Sequence, residues 1–350
     1  MYSYSMIQWM FFFYFYCFAG WCVESAYVSI EKRKLTNRGF LRGPFLPLYG
    51  SGGIMMLVVS MPFRDNLVMT YLAGCVGATV LEYVTGVLME ALFKVRYWDY
   101  SRQPLNFQGR VCLGTTLAWG LLTILMTQII HVPVERIVLS IPDQALTIST
   151  IVITSCFLVD FALSFKAAID LRNVLIMMEQ VKKEMVRIQK RLDAMIAQAG
   201  QGMGNYKAAL TESMNTAKEE WSENMAVRIE DLKASVESKL EALKNIALTR
   251  PAGYLENFRE ELLELKTKYA VSLAFRNRLG KLKDFFQRDM IRSNPGMTST
   301  RFREALEELQ RRVHEKRSEE DFEETLDEDE TSGKSPEEEE MIYEESTDEE

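Results

Sequence analysis

Apolar residues crowd the first half of the chain in five runs, at about 6–30, 44–63, 67–93, 111–131 and 145–168. A helix crossing the hydrocarbon of a bilayer needs roughly 20 mostly apolar residues, so each run predicts a membrane span. Beyond the fifth run the spacing changes. Leu171, Val174, Met178, Val181, Met185, Ile188, Leu192 and Met195 alternate steps of three and four, which is the seam of a left-handed coiled coil. The seam leaves the last span without a break, so span and coil predict one rod. The fold class expected is all-α: a polytopic transmembrane domain over 1–168, a coiled coil over 169–198, and further helices.

The glycines of AGQGMGN, residues 199–205, interrupt the coil. Helical spacing resumes over about 206–248 through Met214, Ala217, Trp221, Met225, Ile229, Leu232 and Val236, with a stutter at Met225. Arg250-Pro251-Ala252-Gly253 ends it. A third helical region covers about 254–289 and a shorter one about 299–317, so 206–317 is expected to be a cytosolic helical region. These helices can fold back as an intramolecular bundle or extend to meet another chain. Of the two, self-association through the first coil is favoured, making the protein a homo-oligomer.

Charge sharpens the picture. Residues 319–350 hold 18 acidic side chains against one lysine, a local charge of −17; the whole-chain −8 therefore leaves +9 on residues 1–318. A segment so acidic and so poor in apolar residues is expected to be a disordered tail over 318–350. Within the membrane half, Lys and Arg alternate by loop. Lys32, Arg33, Lys34, Arg38 and Arg42 lie before the second run, and Lys94, Arg96, Arg102 and Arg110 before the fourth. Lys166, Arg172, Lys182 and Lys183 follow or close the fifth, whereas the other two connections hold only Arg64 and Arg136. Basic loops stay cytosolic, which predicts a plasma-membrane protein with its N-terminus outside and its C-terminus in the cytosol. The first run lacks a basic leader and a small-residue cleavage site, so it reads as a retained anchor.

The stretch NRGFLRGPFLPLYGSGG, residues 37–53, fits this scheme as the entry to the second span. Pro44 would start the helix, where a missing N–H is harmless. Gly50, Gly52 and Gly53 would admit a close neighbour, and Arg38 and Arg42 would sit at the cytosolic surface. A re-entrant loop is the alternative, but it would put the four basic residues of 94–110 outside. No Lys-Ser/Thr follows the glycines as a phosphate loop requires, and the GKS at 333–335 lacks its upstream glycine, so no nucleotide or other cofactor is expected. The five cysteines form no CxxC pair and read as packed thiols. His131 is expected at the outer membrane edge and His314 on a charged helix.

Four carboxylates fall inside the apolar runs: Glu24, Glu82, Glu90 and Asp160. Such residues face the bundle interior and find partners. Glu82 and Glu90 lie about 12 Å apart along a helix and about 80° apart around it, with Thr85 and Gly86 between them. Two readings follow. The acids pair with arginines of the basic loops and hold helices together, or, with Ser25 and Thr85, they line a polar interior for a cation, a proton or a cationic solute. The second basic loop gathers Trp98-Asp99-Tyr100-Ser101, Asn106 and Gly109-Arg110. Its aromatics suit a membrane interface, while Asp99 and Asn106 suit a loop folded on its own backbone.

Gly20-Trp21, Glu24-Ser25, Asn37-Arg38-Gly39 through Gly43-Pro44 and Pro47-Leu48-Tyr49-Gly50 open a series of motifs. Leu81-Glu82, Thr85-Gly86, Glu90, WDYS, Asn106, Gly109-Arg110 and Trp119-Gly120 complete it in order. With these, residues 9–120 resemble the bacterial family labelled Putative ABC-transporter type IV. The resemblance implies a multi-pass permease served by a separate ATPase subunit. The function expected is a permease-like membrane subunit embedded in the lipid bilayer, alternately exposing a polar interior that holds Glu24, Glu82 and Glu90. The competing reading is a membrane-anchored coiled-coil scaffold that transports nothing. A third, an intramembrane enzyme, would use Glu24, Glu82 and Asp99 as acid–base groups. No paired catalytic constellation and no basic-aromatic patch for nucleic acid stands out, so neither an enzyme nor a nucleic-acid binder is the expectation.

Overall fold

The computed structural model describes residues 4–33, 35–201, 228–249, 256–282 and 285–315. The second helical stretch before 228 and the acidic tail lie outside the described residues. The architecture is all-α and polytopic. Helix α1 (Met6–Lys32) opens on a capping box in which Ser5 and Gln8 exchange side-chain bonds to each other's backbone. It closes on Arg33 in the left-handed region. After α2 (Pro47–Ser60) and one tight turn, Met61–Phe63, comes α3 (Leu67–Phe93), capped by Asn66. A loop holding the two-residue strands β1 (Asn106–Phe107) and β2 (Val111–Cys112) leads to α4 (Leu113–Leu125). A π-turn, Met126–Ile130, joins α4 to α5 (His131–Ser140).

Helix α6 (Asp143–Gln201) is unbroken for 59 residues, a rod of about 88 Å. The first glycine of the expected break, Gly200, is still inside it. Beyond follow α7 (Ile229–Thr249), α8 (Glu256–Gly280), α9 (Phe285–Ser293) and α10 (303–315).

Among the described residues four helices are long and apolar enough to cross a membrane: Met6–Ile30, Leu67–Phe93, Leu113–Ser140 and the first part of Asp143–Ala197. The second apolar run is shorter, at Pro47–Phe63. Its helix starts at Pro47, not Pro44, because residues 35–46 run as irregular chain. The Leu46 N–H bonds the carbonyl of Cys17 at 3.0 Å, in the middle of α1. Cys17 lies fifteen residues from the Lys32 end of α1, about 22 Å, so this chain descends well into the bundle before α2 begins. Close approach is built into the pair. A Cβ on Gly50 would sit 2.7 Å from the Phe13 carbonyl oxygen.

The fourth run ends nine residues later than expected. Pro133 cannot donate to the carbonyl a turn earlier and would normally stop a helix. The π-turn immediately before it widens the helix, with the His131 N–H reaching Met126 O, and the chain continues to Ser140. Phe12, Tyr16, Met56, Leu57, Met126 and Val134 fill the interior of the bundle. Val76, Val80, Leu121, Ile151 and Leu158 stand exposed on its outside, as residues facing lipid do.

The coil seam is occupied by the chain itself. Leu171, Leu175 and Met178 pack with Ile291, Phe302, Leu306 and Leu309. Further along, Val181, Met185, Ile188, Leu192 and Met195 pack with Leu232, Val236, Leu243, Leu265 and Tyr269. Of the two arrangements the sequence left open, the described residues show the intramolecular one: α7–α10 fold back on the seam and cover it. Arg276 fixes the register. Only 1% exposed, it binds Glu308 at 2.5 Å and the Met178 carbonyl at 2.8 Å, tying α8 to α10 and α6.

Candidate functional site

The irregular chain 35–46 places non-helical backbone at bundle depth, which is tolerated only where protein or a cavity satisfies it. Side chains of the bundle take up several of its polar groups. Asn37 accepts the Trp21 indole N–H and donates to the Arg42 carbonyl, both at 2.6 Å. Ser25 Oγ accepts the Arg38 N–H at 3.2 Å. The Asp160 carboxylate accepts the N–H groups of Arg42 and Gly43 at 3.3 and 2.9 Å. Ser25, Asn37, Gly43, Pro44 and Asp160 therefore shape the wall and do not line the space behind it.

That space is a cavity of about 420 Å³ enclosed by α1, α2, α3, α4, α6 and both basic loops. Glu24, Arg38, Gly39, Glu82, Thr85, Trp98 and Tyr100 line it, as do Phe40, Tyr49, Trp119, Phe161, Phe165 and Asn294. Glu24 accepts the Tyr49 hydroxyl at 2.7 Å and faces the Arg38 guanidinium at 3.9 Å. Glu82 is 4% exposed. Its Oε1 accepts from the Tyr100 hydroxyl at 3.1 Å and its Oε2 from the Trp119 indole at 2.9 Å. Both donors are neutral, and among the described residues no cation pairs with it.

Glu90 has a different role. It binds Arg96 at 3.0 Å and Arg110 at 2.7 Å and takes no part in the cavity. Glu82 and Glu90 thus split the two readings of the apolar-run acids between them: Glu90 holds loops, Glu82 faces the cavity.

The 94–110 loop is folded on itself. Asn106 donates to the carbonyls of Ser101 and Gln103 and accepts the Gly109 N–H. Gly109 has φ +70°, and a Cβ there would meet Asp99 at 2.8 Å. Partial burial opposes the charge on Asp99, but the Ser101 hydroxyl and N–H and the Arg96 guanidinium outweigh it. They hold its carboxyl below the usual range. Burial, and then the negative charge of Glu82, push the Tyr100 phenol well above its ordinary value.

One side of the cavity is closed by the chain between α9 and α10. Asn294 donates to the Gly39 carbonyl at 3.0 Å, and Arg38 donates to the Ser293 carbonyl at 3.2 Å. Arg96 and Thr298 exchange backbone bonds at 2.7 and 2.9 Å, and Ser299 binds the Lys94 carbonyl at 2.7 Å. Arg42 lies 3.6 Å over the Phe286 ring and 3.7 Å from Asp289. Arg38 and Arg42, expected at an open surface, are therefore half-covered by α9.

Tyr49, Trp119 and Asn294 were not singled out as site residues. The first two stand in the quoted motifs; nothing in SNPG, residues 293–296, marks Asn294 as a cavity wall. At the opposite end of the bundle His131 is fully buried. Tyr16 OH lies 2.6 Å from its Nδ1 and Tyr4 OH 3.1 Å from its Nε2, while Tyr4 also donates to Glu135.

Residues 11–165 match the model of the family described as Putative ABC-transporter type IV. The match runs from within α1 through α2–α5 and both basic loops into α6 as far as residue 165, and so holds every cavity residue named above except Asn294. No curated protein and no solved structure matches the chain.

Proposed function

We propose that this chain is the permease-like membrane subunit of an ABC-type transport system and that the cavity is its solute site. The observation that carries the reading is the cavity itself. It lies at bundle depth, is walled on one side by irregular backbone, and holds a buried carboxylate that pairs with no cation among the described residues. Broken helices around a midplane site are how many transporters hold a solute. On this reading the basic loops and α7–α10 are cytosolic and the N-terminus is outside. The α9–α10 connection is the inner gate, closed in this conformation, and the solute is released inward when that connection lifts from Gly39 and Arg96. Energy comes from a separate ATPase acting on the cytosolic helices.

The test is purification of the native complex in mild detergent, with stoichiometric partners identified by mass spectrometry. A nucleotide-binding ATPase in fixed ratio supports the reading. A chain accompanied only by soluble proteins held on α6–α10 favours the scaffold instead. That second reading draws on the extent of the extramembrane bundle, and it predicts function that survives Glu82→Gln but not truncation near residue 170.

A further inference from the structure

We infer that the solute of this cavity is a small organic cation, an ammonium carried on an apolar or aromatic body, with Glu82 as its counter-charge. The inference rests on the permease-like reading of the cavity. Apart from tyrosines, the ionisable side chains on its wall are Glu24, Glu82 and Arg38, two carboxylates against one guanidinium. Arg38 stands beside Glu24, which leaves Glu82 as the excess negative charge. Trp119 and Tyr100 orient the Glu82 carboxyl with neutral donors, so it keeps the capacity to ionise against a cation that enters. A buried charge of this kind is unfavourable until a cation reaches it.

The walls say which cation. Trp98, Trp119, Tyr49, Tyr100, Phe161 and Phe165 surround the space, and aromatic faces attract alkylated ammonium groups. A hard metal ion needs six or more oxygen ligands, and among the described residues no cluster of three metal-ligating side chains exists. Leu46, Leu88 and Met89 offer hydrocarbon contact that a bare ion would not use. The volume, about 420 Å³, falls in the range of small-molecule sites.

The experiment uses the full-length protein in lipid nanodiscs and three probes of one shape: phenyltrimethylammonium, its uncharged counterpart tert-butylbenzene, and the anion benzenesulfonate. Quenching of tryptophan emission reads binding, since Trp98 and Trp119 line the site, and thermal unfolding reads integrity. Phenyltrimethylammonium should quench saturably, with tert-butylbenzene at least about tenfold weaker. Glu82→Gln should lose at least that factor, and Glu82→Asp, which keeps the charge, should retain the preference for the cation even where stability falls.

Equal binding of tert-butylbenzene, or tighter binding of the sulfonate, overturns the organic-cation assignment and leaves the permease reading in place. So does saturable cation binding that Glu82→Gln leaves unchanged. No saturable binding by any probe, in a protein that still carries its ATPase, overturns the cation site alone. Without the ATPase as well, both fall.

Discussion

Asn294→Ala tests whether the α9–α10 connection is held shut from the bundle side. The Asn294 side chain, 3% exposed, donates to the Gly39 carbonyl at 3.0 Å and to its own helix at Met290. Only the first bond crosses between the closing segment and the 35–46 chain. A hydrogen bond is worth about 1 kcal/mol net, and leaving a buried carbonyl unpaired costs roughly 1–3 kcal/mol. Gly39 is buried, so the docked arrangement should weaken by about 2 kcal/mol, or about 30-fold in the opening equilibrium.

Hydrogen exchange followed by mass spectrometry reads that equilibrium directly. The amides of Arg96 and Thr298 protect each other only while the segment is docked. Peptides covering 94–100 and 294–300 should therefore exchange about 30-fold faster, while α3 between residues 70 and 80 stays unchanged. A change under about threefold at both sites would mean that Asn294 does not hold the segment. An equal rise in α3 would mean that the whole fold had loosened, and the gate argument would fail with it.

Three further outcomes follow from the described geometry. Arg276→Met should destabilise the extramembrane bundle by about 1–3 kcal/mol. It strips one of two guanidinium partners from buried Glu308, which keeps Arg312 at 2.6 Å, and removes the bond to the Met178 carbonyl; adding Glu308→Leu should recover part of the loss. Thermal unfolding of the two variants in detergent decides it; equal losses would show that the ion pair is not the cause. The Asp99 carboxyl sits below its usual range in the fold. Its contribution is thus complete above the unfolded value near 4 and disappears as pH falls through the lower folded value. Trp98 fluorescence should report loosening of the 94–110 loop as the pH drops below about 4, and Asp99→Asn should remove that step; a step persisting in the variant belongs to another group. The chain has two histidines, so ¹⁵N labelling at histidine isolates His131. Tyr4 gives its proton to Glu135, hence His131 Nε2 must donate to Tyr4 and Nδ1 accept from Tyr16. A protonated Nδ1 at neutral pH would contradict the hydrogen-bond chain.

What the sequence disclosed tracks how local each signal is. Four long apolar helices were legible because twenty apolar residues need no knowledge of their neighbours; the second run gave only the shorter Pro47–Phe63. The coil seam was legible as an apolar stripe, but a stripe states only that something must cover it. Its cover, Leu232 and Leu243 on α7 and Phe302 to Leu309 on the chain beyond α9, comes from tens of residues away, and heptad spacing does not encode that choice. The same limit explains His131. An apolar run ending before Pro133 reads as a helix end, and only the π-turn carries α5 past it and buries the imidazole against Tyr4 and Tyr16.

The four acids in the apolar runs make the point most sharply. Their position marked all of them for the interior; Glu82 is buried and the other three are half-buried, and their roles diverge with what the loops bring. Arg96 and Arg110 reach Glu90, and two backbone N–H groups reach Asp160. Glu82 receives, among the described residues, neutral donors. Among the described residues it alone of the four has neither a cation nor a backbone N–H beside it, and it faces the cavity, so Glu82→Gln is the most informative single change.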